Sequence, residues 1–230
     1  METNTNAVVM ENTDYADTKG EKISKLLWWT LGIAGARLLF KIYELTGGYV
    51  PVPNMGNEAV YLLISVFSTV TLITLGKYHK LYKIGGIIAA VGCVAKIVLP
   101  FVTASLPPAT DFLSFLSEPT DPMYKLINSL STYLPIIASI IVGAAHTLFS
   151  NPMNEKISKG WKIALIAYIA IYVINKLYML FSLYIIPRYP EFSPMIYSIV
   201  IGLSEAVILA IYALQVVLLY FMATKAKEIE

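Results

Sequence analysis

Six apolar runs, each about as long as a bilayer-crossing helix, constrain this chain more than any other feature. They cover roughly residues 26–46, 58–76, 84–102, 126–149, 161–186 and 195–222. A helix rises 1.5 Å per residue, so ~20 residues cross the hydrocarbon core. Inside hydrocarbon the backbone must satisfy its own N–H and C=O groups, which leaves helices or a closed barrel. Barrel strands would read as alternating ~10-residue segments, and these runs are continuous. Only 14% of the 230 residues are charged, against about 25% in an ordinary soluble domain. The expected fold is an all-α integral membrane protein with six transmembrane helices, arranged as three helical hairpins.

Residues 1–20 hold Glu2, Glu11, Asp14 and Asp17 against Lys19 and lack the basic start and short apolar run of a secretory signal. They are rich in Asn and Thr, so 1–22 is expected to be a disordered cytoplasmic tail. A single six-helix domain over 23–225 follows it, with the first run kept as a membrane anchor. Pro135 should kink the fourth run.

Basic residues fall on one side of this layout. Lys19, Lys22, Lys25, Lys77, Lys80, Lys83, Lys156, Lys159, Lys162, Lys225 and Lys227 flank alternate ends of the runs. The opposite ends have only Lys125 and Arg188. The positive-inside rule then puts both termini in the cytoplasm, most simply across a bacterial cytoplasmic membrane.

A weak internal repeat accompanies the pattern. Glu21-Lys22-Ile23-Ser24-Lys25 returns as Glu155-Lys156-Ile157-Ser158-Lys159, and Lys41-Ile42-Tyr43-Glu44-Leu45 is echoed by Lys176-Leu177-Tyr178-Met179-Leu180. Three hairpins repeated in parallel orientation would produce it, and so would convergence on lysine borders and Ile/Leu runs. Segment 103–125 carries Pro107, Pro108, Pro119 and Pro122 around Asp111-Phe112-Leu113-Ser114-Phe115-Leu116. Thr110 or Asp111 could cap a short interfacial helix there.

Four cations lie inside the apolar runs: Arg37, Lys41, Lys96 and Lys176. Lys41 follows Lys25 by 16 residues, Lys96 follows Lys80 by 16, and Lys176 follows Lys159 by 17. Each lysine is therefore ~20 Å from its basic border. A cation at that depth is costly and turns toward a partner or a water-filled cavity. One reading is a shared pocket in which Lys41, Lys96 and Lys176 bind an anion, Arg37 supports them and Glu205 answers. Tyr43, Tyr178 and Asn175 are candidate walls. The other reading is a set of ion pairs that lock helices together, because Glu44, Glu58 and Glu205 nearly balance the four cations. Polar or small stripes fit either: Thr132, Pro135, Ser139, Gly143 and His146; Tyr168, Tyr172, Asn175 and Met179; and Ser198, Gly202 and Glu205.

Other chemistries lack their residues. The single cysteine, Cys93, forms no internal disulfide or cysteine cluster, and a net charge of +2 offers no nucleic-acid surface. His79 and His146 are the only histidines and form no H-E-x-x-H. Gly202-Leu203-Ser204-Glu205 approaches an intramembrane serine motif, but no histidine follows it. A phosphate-cradling loop is absent, so energy would come from an ion gradient or a partner. The plan of three hairpins is similar to mitochondrial carriers, without their Pro-x-acid-x-x-base signature. Six short helices are similar in plan to the substrate-binding subunits of vitamin importers, an analogy of fold alone.

The sequence thus predicts a small transporter, or a transporter's substrate-binding subunit, for an anionic or zwitterionic small molecule. No cofactor and no nucleic acid is expected; the bilayer is, and so is a partner subunit or a homo-oligomer. A membrane scaffold with structural ion pairs is the alternative, followed by an integral-membrane enzyme acting on lipid headgroups.

Overall fold

The computed structural model describes residues 18–48, 56–106, 121–185 and 193–228. These form α1 (Lys19–Leu45), α2 (Asn57–Leu75), α3 (Lys80–Ala104), α4 (Pro122–Ser150), α5 (Glu155–Ile185) and α6 (Ser193–Lys225). A 3-10 turn, Ala226–Glu228, follows α6. By length and composition all six helices can cross a membrane.

Local chemistry sets the ends. A capping box opens α1: Glu21 N–H donates to Thr18 Oγ1 (3.3 Å), and Thr18 N–H donates to Glu21 Oε2 (2.9 Å). The helix therefore reaches back into the stretch expected as tail, seven residues ahead of the apolar run. Asp121 caps α4 by accepting from Tyr124 N–H at 2.8 Å, with Pro122 beside it where no N–H is needed. Residues 1–17, the Asp111–Leu116 segment and most of the 187–194 connection lie outside the described residues. Pro135 is inside α4, which runs through it unbroken, and Ser139 Oγ donates to the Pro135 carbonyl (2.8 Å).

Each helix packs against its neighbours in chain order, and α1 closes on α6, giving a six-helix ring. Its outer surface is apolar, with Phe67, Phe101, Ile163 and Leu203 exposed. That inside-out pattern suits hydrocarbon as the surrounding solvent. The lysine-rich end of the ring is solid. Ile23, Leu27, Leu75, Tyr82, Ala145, Ile157, Trp161, Leu218, Met222 and Ala226 form one buried cluster there, and every helix contributes to it.

The α3–α4 seam depends on glycine. A Cβ on Gly85 would stand 2.8 Å from Val142 Cγ2, and one on Gly92 would stand 3.1 Å from Pro135 Cδ. Close approach of this kind is how small residues pack membrane helices. Gly85→Leu should therefore lower stability by roughly 1–3 kcal/mol through overpacking, beyond any helix-propensity gain of ~1 kcal/mol. Thermal unfolding of the detergent-purified protein checks this. An unchanged midpoint would mean that the two helices part freely.

Candidate functional site

Toward its middle the ring is hollow. A cavity of about 180 Å³ is lined by residues from all six helices. Helix α1 contributes Thr30, Ile33, Ala34 and Arg37, an i, i+3, i+4, i+7 stripe, and α3 contributes Ala89, Cys93 and Lys96. Ser65, Ser68 and Thr69 come from α2, and Pro135, Ser139, Gly143 and His146 from α4. Trp161 of α5 and Tyr212 and Gln215 of α6 complete it.

Two cations lie at one end. The Arg37 guanidinium sits 4.5 Å over the Tyr212 ring, and Lys96 lines the wall with an exposed side chain. Among the described residues no carboxylate lines the cavity and none pairs with Arg37 or Lys96. The hydroxyls of Thr30, Ser65 and Ser139 donate to carbonyls four residues back, at 2.9, 2.7 and 2.8 Å. Ser139 also meets the Tyr168 hydroxyl, so the lone pairs of Thr30 and Ser65 are what remain for a guest. At the other end Tyr82 Oη lies 2.7 Å from His146 Nδ1, and His146 stacks on Trp161 with ring centroids 4.2 Å apart. Trp161 Nε1–H donates to Met222 Sδ at 2.8 Å.

The three intramembrane lysines go to three different places. Only Lys96 lines the cavity. Lys41 Nζ is held between Glu205 Oε2 at 2.7 Å and Glu44 Oε2 at 3.0 Å, and Tyr61 Oη–H donates to Glu44 Oε2 at 2.8 Å. This cluster joins α1, α2 and α6. Lys176 Nζ lies 5.5 Å from the Tyr133 ring centroid and 5.9 Å from that of Tyr172. Equal depth did not imply a shared direction. Four residues along a helix turn the side chain by ~40°, which carries Lys41 off the cavity face held by Arg37 and into the α1–α6 seam.

The remaining candidates are also peripheral. Asn175 Oδ1 accepts from Ser204 Oγ at 2.7 Å, which ties α5 to α6. Tyr43 packs against Phe40, with centroids 5.9 Å apart, and neither it nor Tyr178 lines the cavity. On α4 the expected stripe lines the cavity from Pro135 through Ser139 and Gly143 to His146, while its first member, Thr132, does not. The α6 wall was missed: Tyr212, Gln215 and Leu219 form it, not Ser198, Gly202 and Glu205. Gln215, an amide between Ala206 and Ala223 in an otherwise apolar run, was the available signal. No group of three or more His, Cys, Asp or Glu side chains among the described residues could hold a metal ion.

Fold and site together define a class: the described residues are all-helical, with six helices long and apolar enough to cross a membrane, built as a ring around a cavity with cations at one end. Comparison with protein-family models, curated proteins and solved structures found no match.

Proposed function

We propose that the chain is a small membrane transporter, or the substrate-binding subunit of one, that takes an anionic or zwitterionic small molecule into the central cavity. The observation that carries this is a charge imbalance. Glu44 and Glu205 both engage Lys41, leaving Arg37 and Lys96 on the cavity wall without a carboxylate partner among the described residues. Two like charges in a low-dielectric wall repel each other, so water or an anion must compensate them. A scaffold held by ion pairs would instead distribute its carboxylates one to each cation. A headgroup enzyme would need an acid or base at the level of the headgroups, whereas His146 lies within the ring, held by Tyr82 and stacked on Trp161.

The orientation proposed has both termini and the solid, lysine-rich end in the cytoplasm of a bacterial cell. The cavity would then be closed from the inside by that buried cluster. Hairpins of common ancestry are supported by two matched bonds. Ser24 Oγ donates to Ala223 O near the end of α6 (2.7 Å), and Ser158 Oγ donates to Thr147 O near the end of α4 (2.8 Å). A partner subunit or second copy would supply energy or a translocation path.

The chain's single cysteine lines the cavity and makes the test direct. A negatively charged methanethiosulfonate should modify Cys93 at least ~10-fold faster than its positively charged counterpart, because the wall potential concentrates anions. Lys96→Met should abolish most of that preference. Equal rates for the two reagents would remove the support for an anion site. Topology is tested separately, with Lys80→Cys in a Cys93→Ala background. An impermeant reagent should label that position only after cells are opened, and labelling in intact cells would reverse the orientation.

A further inference from the structure

We infer that the preferred guest is a compact aromatic or heteroaromatic carboxylate, bound with its carboxylate at Arg37 and Lys96 and its ring toward His146 and Trp161. This rests on the reading of the cavity as an anion site and adds the shape and polarity of the guest. The cavity is polarised along its length. Arg37 stands seven residues beyond Thr30, and Lys96 seven beyond Ala89, so the cations lie ~10 Å from the opposite end. That opposite end carries Leu72, Leu219 and Trp161 of the buried cluster, with His146 stacked on Trp161 and the Thr30 hydroxyl on the α1 side. The His146 ring is fixed twice, by the 2.7 Å contact of Tyr82 with Nδ1 and by stacking on Trp161 at 18° between planes. Nε2 is the ring nitrogen left for a polar atom of the guest.

Size and charge narrow the class. About 180 Å³ slightly exceeds a cavity of about 150 Å³ known to admit benzene. One six-membered ring with one carboxylate fits such a volume. A dianion would place its second charge among leucines and rings with no cation to meet it, and desolvation disfavours that arrangement. A purely aliphatic acid would satisfy the cations but forgo ring contacts, which favour offset or edge geometries with fixed aromatic partners.

The test uses the full chain in lipid nanodiscs with four probes: benzoate, hexanoate, acetate and benzyl alcohol. Each competes with modification of Cys93 by neutral methyl methanethiosulfonate, and thermal unfolding with the same probes provides a second readout if the thiol reacts slowly. Benzoate should protect at concentrations at least ~10-fold below the other three, and Lys96→Met should raise its requirement by a similar factor. Hexanoate protecting as well as benzoate would overturn the aromatic inference and leave the anion site standing. Benzyl alcohol matching benzoate, with no effect of Lys96→Met, would overturn the anion site as well. Protection by none of the four in either readout would overturn the inference, and the charge preference of Cys93 modification would then decide the anion site alone.

Discussion

Lys41→Met is expected to be among the most destabilising single changes in this protein, at roughly 2–3 kcal/mol: breaking a fully buried pair by removing one partner costs about 3–5 kcal/mol, and here both carboxylates are a third exposed. The Lys41 side chain is 13% exposed and holds two carboxylates at 2.7 and 3.0 Å. Without the ammonium, Glu44 and Glu205 would face each other across one site with no cation between them, leaving Glu44 the neutral donors of Tyr61 and Asn57. Glu205→Gln should be milder, because Glu44 still satisfies Lys41. The triple change of Lys41→Met, Glu44→Gln and Glu205→Gln should recover much of the loss, since neutral groups of similar volume often replace buried ions at little cost. Thermal unfolding of the four purified proteins gives the ranking. If Lys41→Met proves no worse than Glu205→Gln, water entering the α1–α6 seam is screening the cluster.

Arg37→Met and Lys96→Met should act in the opposite way, on binding with little effect on stability. Neither cation has a carboxylate partner among the described residues, so its removal strands no buried anion. Removing one charge that faces a desolvated ligand typically costs ~2 kcal/mol or more, which is ~30-fold or more in affinity. The double variant should bind below detection yet keep the wild-type unfolding midpoint in the absence of ligand. Calorimetric titration with a bound anion, paired with unfolding curves, separates the two effects. A large fall in the midpoint of either single variant would instead assign that cation to holding the ring together.

Some of this was legible in the chain. Polarity along α4 gave Pro135, Ser139, Gly143 and His146 as one face, because a helical stripe is a local property with a fixed period. Arg37 and Lys96 were also marked as candidates, by the cost of a cation in hydrocarbon. A carboxylate answering the cations was expected at Glu205, and Lys41 is the one it meets. Convergence of the three lysines was not realised. Depth is read from residue counts, but direction depends on how each helix is rotated in its place in the ring. Tyr212 and Trp161 were missed for the same reason: an aromatic in an apolar run looks alike whether it faces lipid, a neighbour or a cavity.

The sequence by itself determined that there are six helices long and apolar enough to cross a membrane, and how far along each one its charges stand. Those follow from hydrophobicity and the 1.5 Å rise, both properties of one chain segment at a time. Only the tertiary structure decided that α1 closes on α6, that Lys41 takes both carboxylates, and that Arg37 and Lys96 are left to face one cavity. Those outcomes depend on the rotation of each helix about its axis. Close packing at the glycine seams and the pairing of charges across helices set that rotation, and neither can be read from one segment alone.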